Sequence, residues 1–225
     1  MTYHFPMKPL AVLFDLDGTL VDSAPDLAGA VNALRIRRNM PELPLAQLRP
    51  YASLGARGLL GAGLGVAPDD PEFGKLQAEF LDHYAAHSCV HSTLFDGVEE
   101  LLTWLDANDI PWGVVTNKHM RFTDPLMSAL GLTQRAATVV SGDTTAQAKP
   151  HPLPLLYAAE QMGLPAGGLI YVGDDLRDIQ SARAAGYMAA IAAAYGYCDE
   201  AAVSTWQSDC IVSSPGALLC LFKVH

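Results

Sequence analysis

The chain has 225 residues, 50% of them hydrophobic, and a formal net charge of −10. No apolar run reaches the roughly eighteen residues that a membrane-spanning helix needs, and the acidic balance argues against nucleic acid as a partner. The length permits one large domain or a core with a smaller insert, and it suffices for a hydrophobic core without disulfide staples.

Residues 1–10 carry one histidine, two prolines and one lysine but no long apolar segment, so no secretory signal is expected and the chain is read as cytoplasmic. Residues 10–14 read as a buried strand and 21–38 as a helix with apolar positions at Leu27, Val31, Leu34 and Ile36. Met40-Pro-Glu-Leu-Pro44 is a proline-bounded break. A short helix over 45–51 follows, and then Ser53-Leu-Gly-Ala-Arg-Gly58 as a turn into another. The glycine-rich run 58–65 lacks the preceding strand that a dinucleotide-binding fingerprint requires. Residues 73–87 form a helix with the apolar stripe Phe73, Leu76, Phe80, Leu81 and Tyr84, and nothing between 22 and 92 reads as a strand.

Beyond residue 95 the pattern changes. Helices are expected over 97–108, 120–130, 152–162 and 176–185, alternating with strands over 111–116, 137–140, 169–172, 188–193 and 210–212. Such alternation means an α/β fold, a doubly wound parallel sheet with helices on both faces, with 22–92 as a helical insert after the first strand. Cys89, Cys198, Cys210 and Cys220 are widely spaced without a C-x-x-C pair, so buried thiols are expected rather than a zinc site or a disulfide framework.

The first strand ends in Asp15-Leu-Asp17-Gly18-Thr19. Side chains alternate along a strand, so both aspartates can project toward the crevice at its carboxyl end, and Gly18 lets the backbone turn there. Two close carboxylates imply a cation between them, a shared proton or wide separation; the pattern alone also fits an acidic turn and helix cap. Three further strand ends carry polar groups: Thr116-Asn117, then Lys149 before Pro150, and Gly173-Asp174-Asp175 followed by Asp178. Each has a plainer reading, Thr116-Asn117 and Asp174-Asp175 as helix caps and Lys149 as a solvated surface lysine. Together they supply a nucleophile, a proton donor, carboxylates for a cation and positive or neutral groups around a phosphate.

This ordered set resembles the four motifs of the haloacid dehalogenase superfamily: Asp15-Leu-Asp-Gly-Thr19, Thr116-Asn117, Lys149-Pro150 and Gly173-Asp-Asp-x-x-Asp178. The overall pattern is similar to the phosphoglycolate phosphatases. The stretches around residues 90–97, 112–118 and 173–178 also look like bacterial N-acetylmuramic acid 6-phosphate phosphatases. The resemblance implies a Rossmann-like core over 1–21 and 93–225 and a helical cap domain over 22–92 that sets substrate choice. It also implies Mg2+-dependent hydrolysis of a small phosphorylated metabolite through an aspartyl phosphate on Asp15. Asp17 would serve as acid and base, and Lys149 would offset charge. Mg2+ would be held by the Asp15 carboxylate, the Asp17 backbone carbonyl and Asp174, with Asp175 a further or water-mediated ligand and Asp178 behind them.

Thr116, Asn117 and Gly18 are the expected phosphate-binding positions. Arg57 is the candidate to meet a substrate carboxylate, His119 and Arg121 lie at the pocket rim, and His151 is loop surface. Asp17 separates the chain from dehalogenases, which have no alkoxide to protonate, but not from a sugar phosphomutase. A non-catalytic phosphate-binding sensor would keep the fold while losing Asp15 or Asp17. Nucleic acid and membrane are not expected as partners, and the assembly is a monomer or a homodimer.

Overall fold

The computed structural model describes residues 9–186, 188–198 and 200–223, so the reading of residues 1–10 lies largely outside it. The chain opens with β1 (Ala11–Phe14), β2 (Val21–Asp22), α1 (Ala24–Arg37), α2 (Leu45–Leu48), a 3-10 turn (Arg49–Leu54), α3 (Gly55–Leu64) and α4 (Phe73–His87). It continues through β3 (Thr93–Leu94), α5 (Val98–Ala107), β4 (Trp112–Val115), α6 (Met120–Ala129), β5 (Thr138–Val140) and α7 (Leu153–Met162). After a short 3-10 turn come β6 (Leu169–Gly173), α8 (Leu176–Ala184), β7 (Ala189–Ala193), α9 (Glu200–Val203), β8 (Cys210–Val212) and α10 (Pro215–Lys223).

Six strands form one parallel sheet in the order β5-β4-β1-β6-β7-β8, with β1 between β4 and β6. All four residues of β1 are buried, as a strand covered on both faces must be. Their alternation sorts two cores. Val12 and Phe14 join Leu101, Leu105, Leu126, Leu218 and Phe222 from α5, α6 and α10 on one face. Ala11 and Leu13 join Leu155, Ala158, Ile179 and Ala182 from α7 and α8 on the other. The chain passes from β1 outward to β4 and β5 on one side and then crosses back to β6 on the other, which opens a crevice at the carboxyl ends of these strands.

The insert has its own apolar cluster, in which Leu27, Val31 and Leu34 of α1 meet Leu59 and Leu60 of α3 and Leu76 and Phe80 of α4. Phe122 and Tyr197 from the α/β part close it. The glycine-rich run is helical here because smallness allows contact: a Cβ on Gly63 would overlap the Val31 side chain. A two-stranded antiparallel pairing of β2 with β3 ties the insert's outgoing and returning ends together. The expected helix over 21–38 therefore starts later, at Ala24, because Val21 and Asp22 are taken up in that pairing. The helices α9 and α10 were not among the expected elements, although Ser214 before Pro215 is a helix-start signal and the Ser214 hydroxyl accepts from the Ala217 N–H at 3.0 Å. The four cysteines form no disulfide and are not buried as expected: Cys220 is exposed on the outer side of α10, and the other three are half-buried.

Candidate functional site

β1, β4 and β6 each stop at the same edge of the sheet and hand their next residue to one crevice. Asp15 follows β1, and its backbone N–H donates to Val172 of β6 at 2.9 Å. Thr116 follows β4 and is buried, its hydroxyl accepting from the Lys118 N–H at 3.1 Å. Asp174 follows β6 and is buried, accepting from the Thr19 hydroxyl at 3.1 Å, the Tyr197 N–H at 2.8 Å and the Ser53 hydroxyl at 3.3 Å. Gly18 makes this approach possible. Its φ is +83°, and a Cβ there would overlap the Asp174 carboxylate.

Lys149, whose sequence context is also that of a surface lysine, is 5% exposed. Its ammonium lies 3.0 Å from Asp15, donates to Asp178 at 2.7 Å and to the Tyr171 hydroxyl at 2.7 Å, and reaches the Val115 carbonyl at 2.9 Å. Burial alone would lower its pKa, but Asp15 and Asp178 outweigh that and hold it above the ordinary lysine value. Asn117 sets this lysine in place: its amide group donates to the Lys149 carbonyl and accepts from the Lys149 N–H, both at 2.9 Å. The Asn117 side chain is thus engaged with Lys149, which leaves its backbone for the phosphate-binding expectation.

Asp15, Asp174 and Asp178 form the acidic cluster of the described residues, each offering an oxygen within 4.8 Å of the others. Burial drives the Asp15 pKa up to about 7, against the pull of Lys149 and with help from Asp178. Burial, Asp15 and Asp178 push Asp174 well above the usual carboxylate range. Asp175, expected as a further or water-mediated ligand, lines the cavity but stands outside this cluster. It caps α8 and is gripped by Arg177 at 2.8 Å through two nitrogens, so its pKa is lowered despite partial burial. Asp178 completes the capping box, its second oxygen accepting from the Asp175 N–H at 3.0 Å. Both Asp178 oxygens are therefore already engaged.

Two groups that sequence reasoning passed over sit against Asp17. The Lys118 ammonium lies 3.0 and 3.2 Å from its two oxygens, and the Ser23 hydroxyl donates to it in a short hydrogen bond. Lys118 also donates to the Tyr84 hydroxyl of α4 at 2.7 Å. Burial would depress its pKa, yet Asp17 and Tyr84 raise it above the ordinary value. The available signal was Tyr84 itself: a tyrosine on an apolar stripe still needs a partner for its hydroxyl. A second contact with the insert runs from Arg177 to the Ser53 carbonyl at 2.7 Å.

These groups border a cavity of about 390 Å³ between the α/β part and the insert, lined by Asp15, Asp17, Thr116 and Lys149 below and by Leu54, Phe80 and Tyr84 above. Arg57 is exposed and outside the lining, because Gly55 and Ala56 at the start of α3 face the cavity and the next position turns away. Arg121 and His119 do line it. His151 donates no side chain to the cavity and instead accepts from the Leu153 N–H at 3.1 Å through its ring.

The sequence profile of the haloacid dehalogenase-like hydrolases matches residues 12–192. The chain belongs to the haloacid dehalogenase-like hydrolase family. Within it, the chain is 47% identical over 212 residues to a phosphoglycolate phosphatase of Xanthomonas campestris pv. campestris, covering 93% of this chain and 95% of that one. It is 42% identical over 214 residues to an N-acetylmuramic acid 6-phosphate phosphatase of Pseudomonas aeruginosa, covering 95% and 94%. The crystal structure of a protein described as a predicted phosphoglycolate phosphatase from Haemophilus somnus superposes with a TM-score of 0.83 at 28% identity, covering 96% of this chain and 99% of that one. The chain is accordingly an enzyme, a phosphatase of this hydrolase family with a parallel α/β core.

The residues present fit the divalent metal that phosphatases of the family generally use. With all four ionised, Asp15, Asp17, Asp174 and Asp178 carry two more charges than the ammonium groups of Lys118 and Lys149 offset, an excess that protons on the raised Asp15 and Asp174 or a cation must relieve in this buried space. One divalent cation on Asp15 and Asp174 closes that balance, and carboxylate oxygens suit a hard ion.

Proposed function

We propose that the chain is a Mg2+-dependent, cytoplasmic phosphomonoester hydrolase that works through an aspartyl phosphate, with phosphoglycolate its first candidate substrate. The observation that carries this reading is the meeting of Asp15, Asp17, Thr116, Lys149 and the Asp174 carboxylate in one crevice, though they come from four separate stretches of chain. Asp15 attacks phosphorus while the bond to the alcohol oxygen breaks, and Asp17 gives its proton to the departing alkoxide. Asp17 then takes a proton from the water that attacks the aspartyl phosphate, which releases inorganic phosphate and restores Asp15. Lys149 offsets the charge of the nucleophile and the phosphoryl oxygens, and the Thr116 hydroxyl donates to the phosphoryl group.

Asp15, Asp174 and the Asp17 carbonyl would hold Mg2+, which would supply neutralising charge at the phosphoryl oxygens. Asp175 and Asp178 support these ligands by fixing the start of α8 and Lys149. Residues 22–92 act as a cap over the α/β core formed by 1–21 and 93–225, and the Tyr84–Lys118 and Arg177–Ser53 contacts favour its closed position. A second reading, N-acetylmuramic acid 6-phosphate as substrate, is favoured by the cavity. Its volume of about 390 Å³ and its walls of Leu54, Phe80 and Phe122 suit an amphipathic sugar phosphate better than a compact acid.

Phosphate release should be measured with phosphoglycolate, N-acetylmuramic acid 6-phosphate and hexose phosphates, with Mg2+ and with EDTA. The reading expects Mg2+-dependent release from at least one carboxylated ester. Release that survives EDTA, or an isomerised sugar phosphate in place of free phosphate, contradicts it.

A further inference from the structure

The cationic side chains that line the cavity are not equivalent. Lys118 is paired with Asp17, Lys149 with Asp15 and Asp178, and Arg177 with Asp175. The His119 ring lies 3.5 Å from Asp143. Arg121 lines the same cavity with no carboxylate partner among the described residues. Its guanidinium carbon sits 4.4 Å from the centroid of the Phe122 ring, which supports the flat face of the group and leaves its N–H edges open. Phe122 is itself buried between the core and the insert, so this support is fixed.

The lining also holds the apolar Leu54, Phe80, Leu81 and Phe122 and the neutral Ser53 and Gln77, none of which carries a positive charge. A negative group on the alcohol portion of a bound ester therefore has one unengaged arginine or lysine to meet among the described lining residues. A planar guanidinium matches a carboxylate through two parallel hydrogen bonds, a match that an ammonium group cannot make.

We propose that Arg121 is the specificity-determining residue of this site and that it binds a carboxylate on the leaving alcohol of the phosphate ester. This rests on the phosphatase reading above. Arg57, the other arginine considered for the task, lies outside the cavity. The catalytic groups and Arg121 thus divide the substrate: the phosphoryl end belongs to Asp15, Lys149 and Thr116, and the carboxylate end to Arg121.

The test uses two substrate pairs that differ in the carboxylate: N-acetylmuramic acid 6-phosphate against N-acetylglucosamine 6-phosphate, and phosphoglycolate against ethyl phosphate. kcat/KM is measured for the wild type, Arg121→Ala and Arg121→Lys. The wild type should prefer the carboxylated member of at least one pair. Arg121→Ala should cut that preference about 10- to 100-fold, mainly through KM, and Arg121→Lys should restore part of it as a point charge without the fork. An unchanged preference in Arg121→Ala overturns the assignment, as does a wild type that ignores the carboxylate in both pairs. No hydrolysis of any of the four esters by the wild type would overturn the phosphatase reading and this inference with it, a result distinct from equal losses on both members of a pair.

Discussion

Asp15 and Asp17 stand two residues apart, yet they meet different neighbours, which fits them for different work. Asp15 lies against Lys149 with Asp174 and Asp178 close by, whereas Asp17 faces Lys118 and Ser23 on the side of the insert. Asp15→Asn removes the proposed nucleophile, so phosphate release with Mg2+ should fall by roughly 10³-fold or more. Asp17→Asn keeps that nucleophile but loses the proposed proton donor, and kcat should fall by about 10²- to 10⁴-fold. Gly18→Ala acts through backbone and contact together, since the residue has φ +83° and a Cβ would overlap Asp174. We expect a loss of about 1–3 kcal/mol in urea unfolding, and a smaller loss would mean that the turn can relax.

At the scale of elements, the parallel sheet was legible because its strands are short apolar runs that end in polar residues and alternate with capped helices. So was the meeting of Asp15 and Asp174, which sit at strand ends where open sheets hold ligands, and of Lys149, which follows β5 after a loop. What escaped the sequence depends on contacts between distant elements. The pairing of β2 with β3 is too short to leave a periodic pattern. Lys118 and Tyr84 are each ordinary in their own segment, and only the packing of α4 over the β4 end joins them. The placement of Arg57 outside the cavity lining was not legible either, because a turn-flanked arginine carries no mark of which way it faces once α3 forms.

Asp26 in the first turn of α1 is a similar case, since an acidic residue there reads as a helix-dipole charge. In fact it accepts from the Val90, His91 and Ser92 N–H groups at 2.9–3.0 Å and from the Ser92 hydroxyl at 2.6 Å. It thereby holds the returning end of the insert. Asp26→Ala orphans these donors and should cost about 2–4 kcal/mol in urea unfolding. A loss within a few tenths of a kcal/mol would show that water takes over the bonds.

For the whole molecule, the uncompensated charge of the site links metal, pH and stability. Asp15 is raised from 3.8 to about 7 and Asp174 is raised as well, so without metal the folded chain keeps protons that the unfolded chain has lost. Stability therefore falls as pH climbs from 3.8 toward about 7, the reverse of the usual carboxylate case. A bound divalent cation removes that penalty and must displace protons to do so. The rise in Tm on adding Mg2+ should be larger at about pH 8 than at about pH 5.5. Equal rises at both would mean that the ion binds away from these carboxylates.

The proposed aspartyl phosphate on Asp15 can be measured directly. The enzyme is mixed with phosphoglycolate or N-acetylmuramic acid 6-phosphate and Mg2+, quenched in acid during turnover, and digested for mass spectrometry. A phosphoryl adduct on the peptide that contains Asp15, lost with EDTA and in Asp15→Asn, is the predicted result. Continued phosphate release by Asp15→Asn with no adduct on that peptide would contradict it.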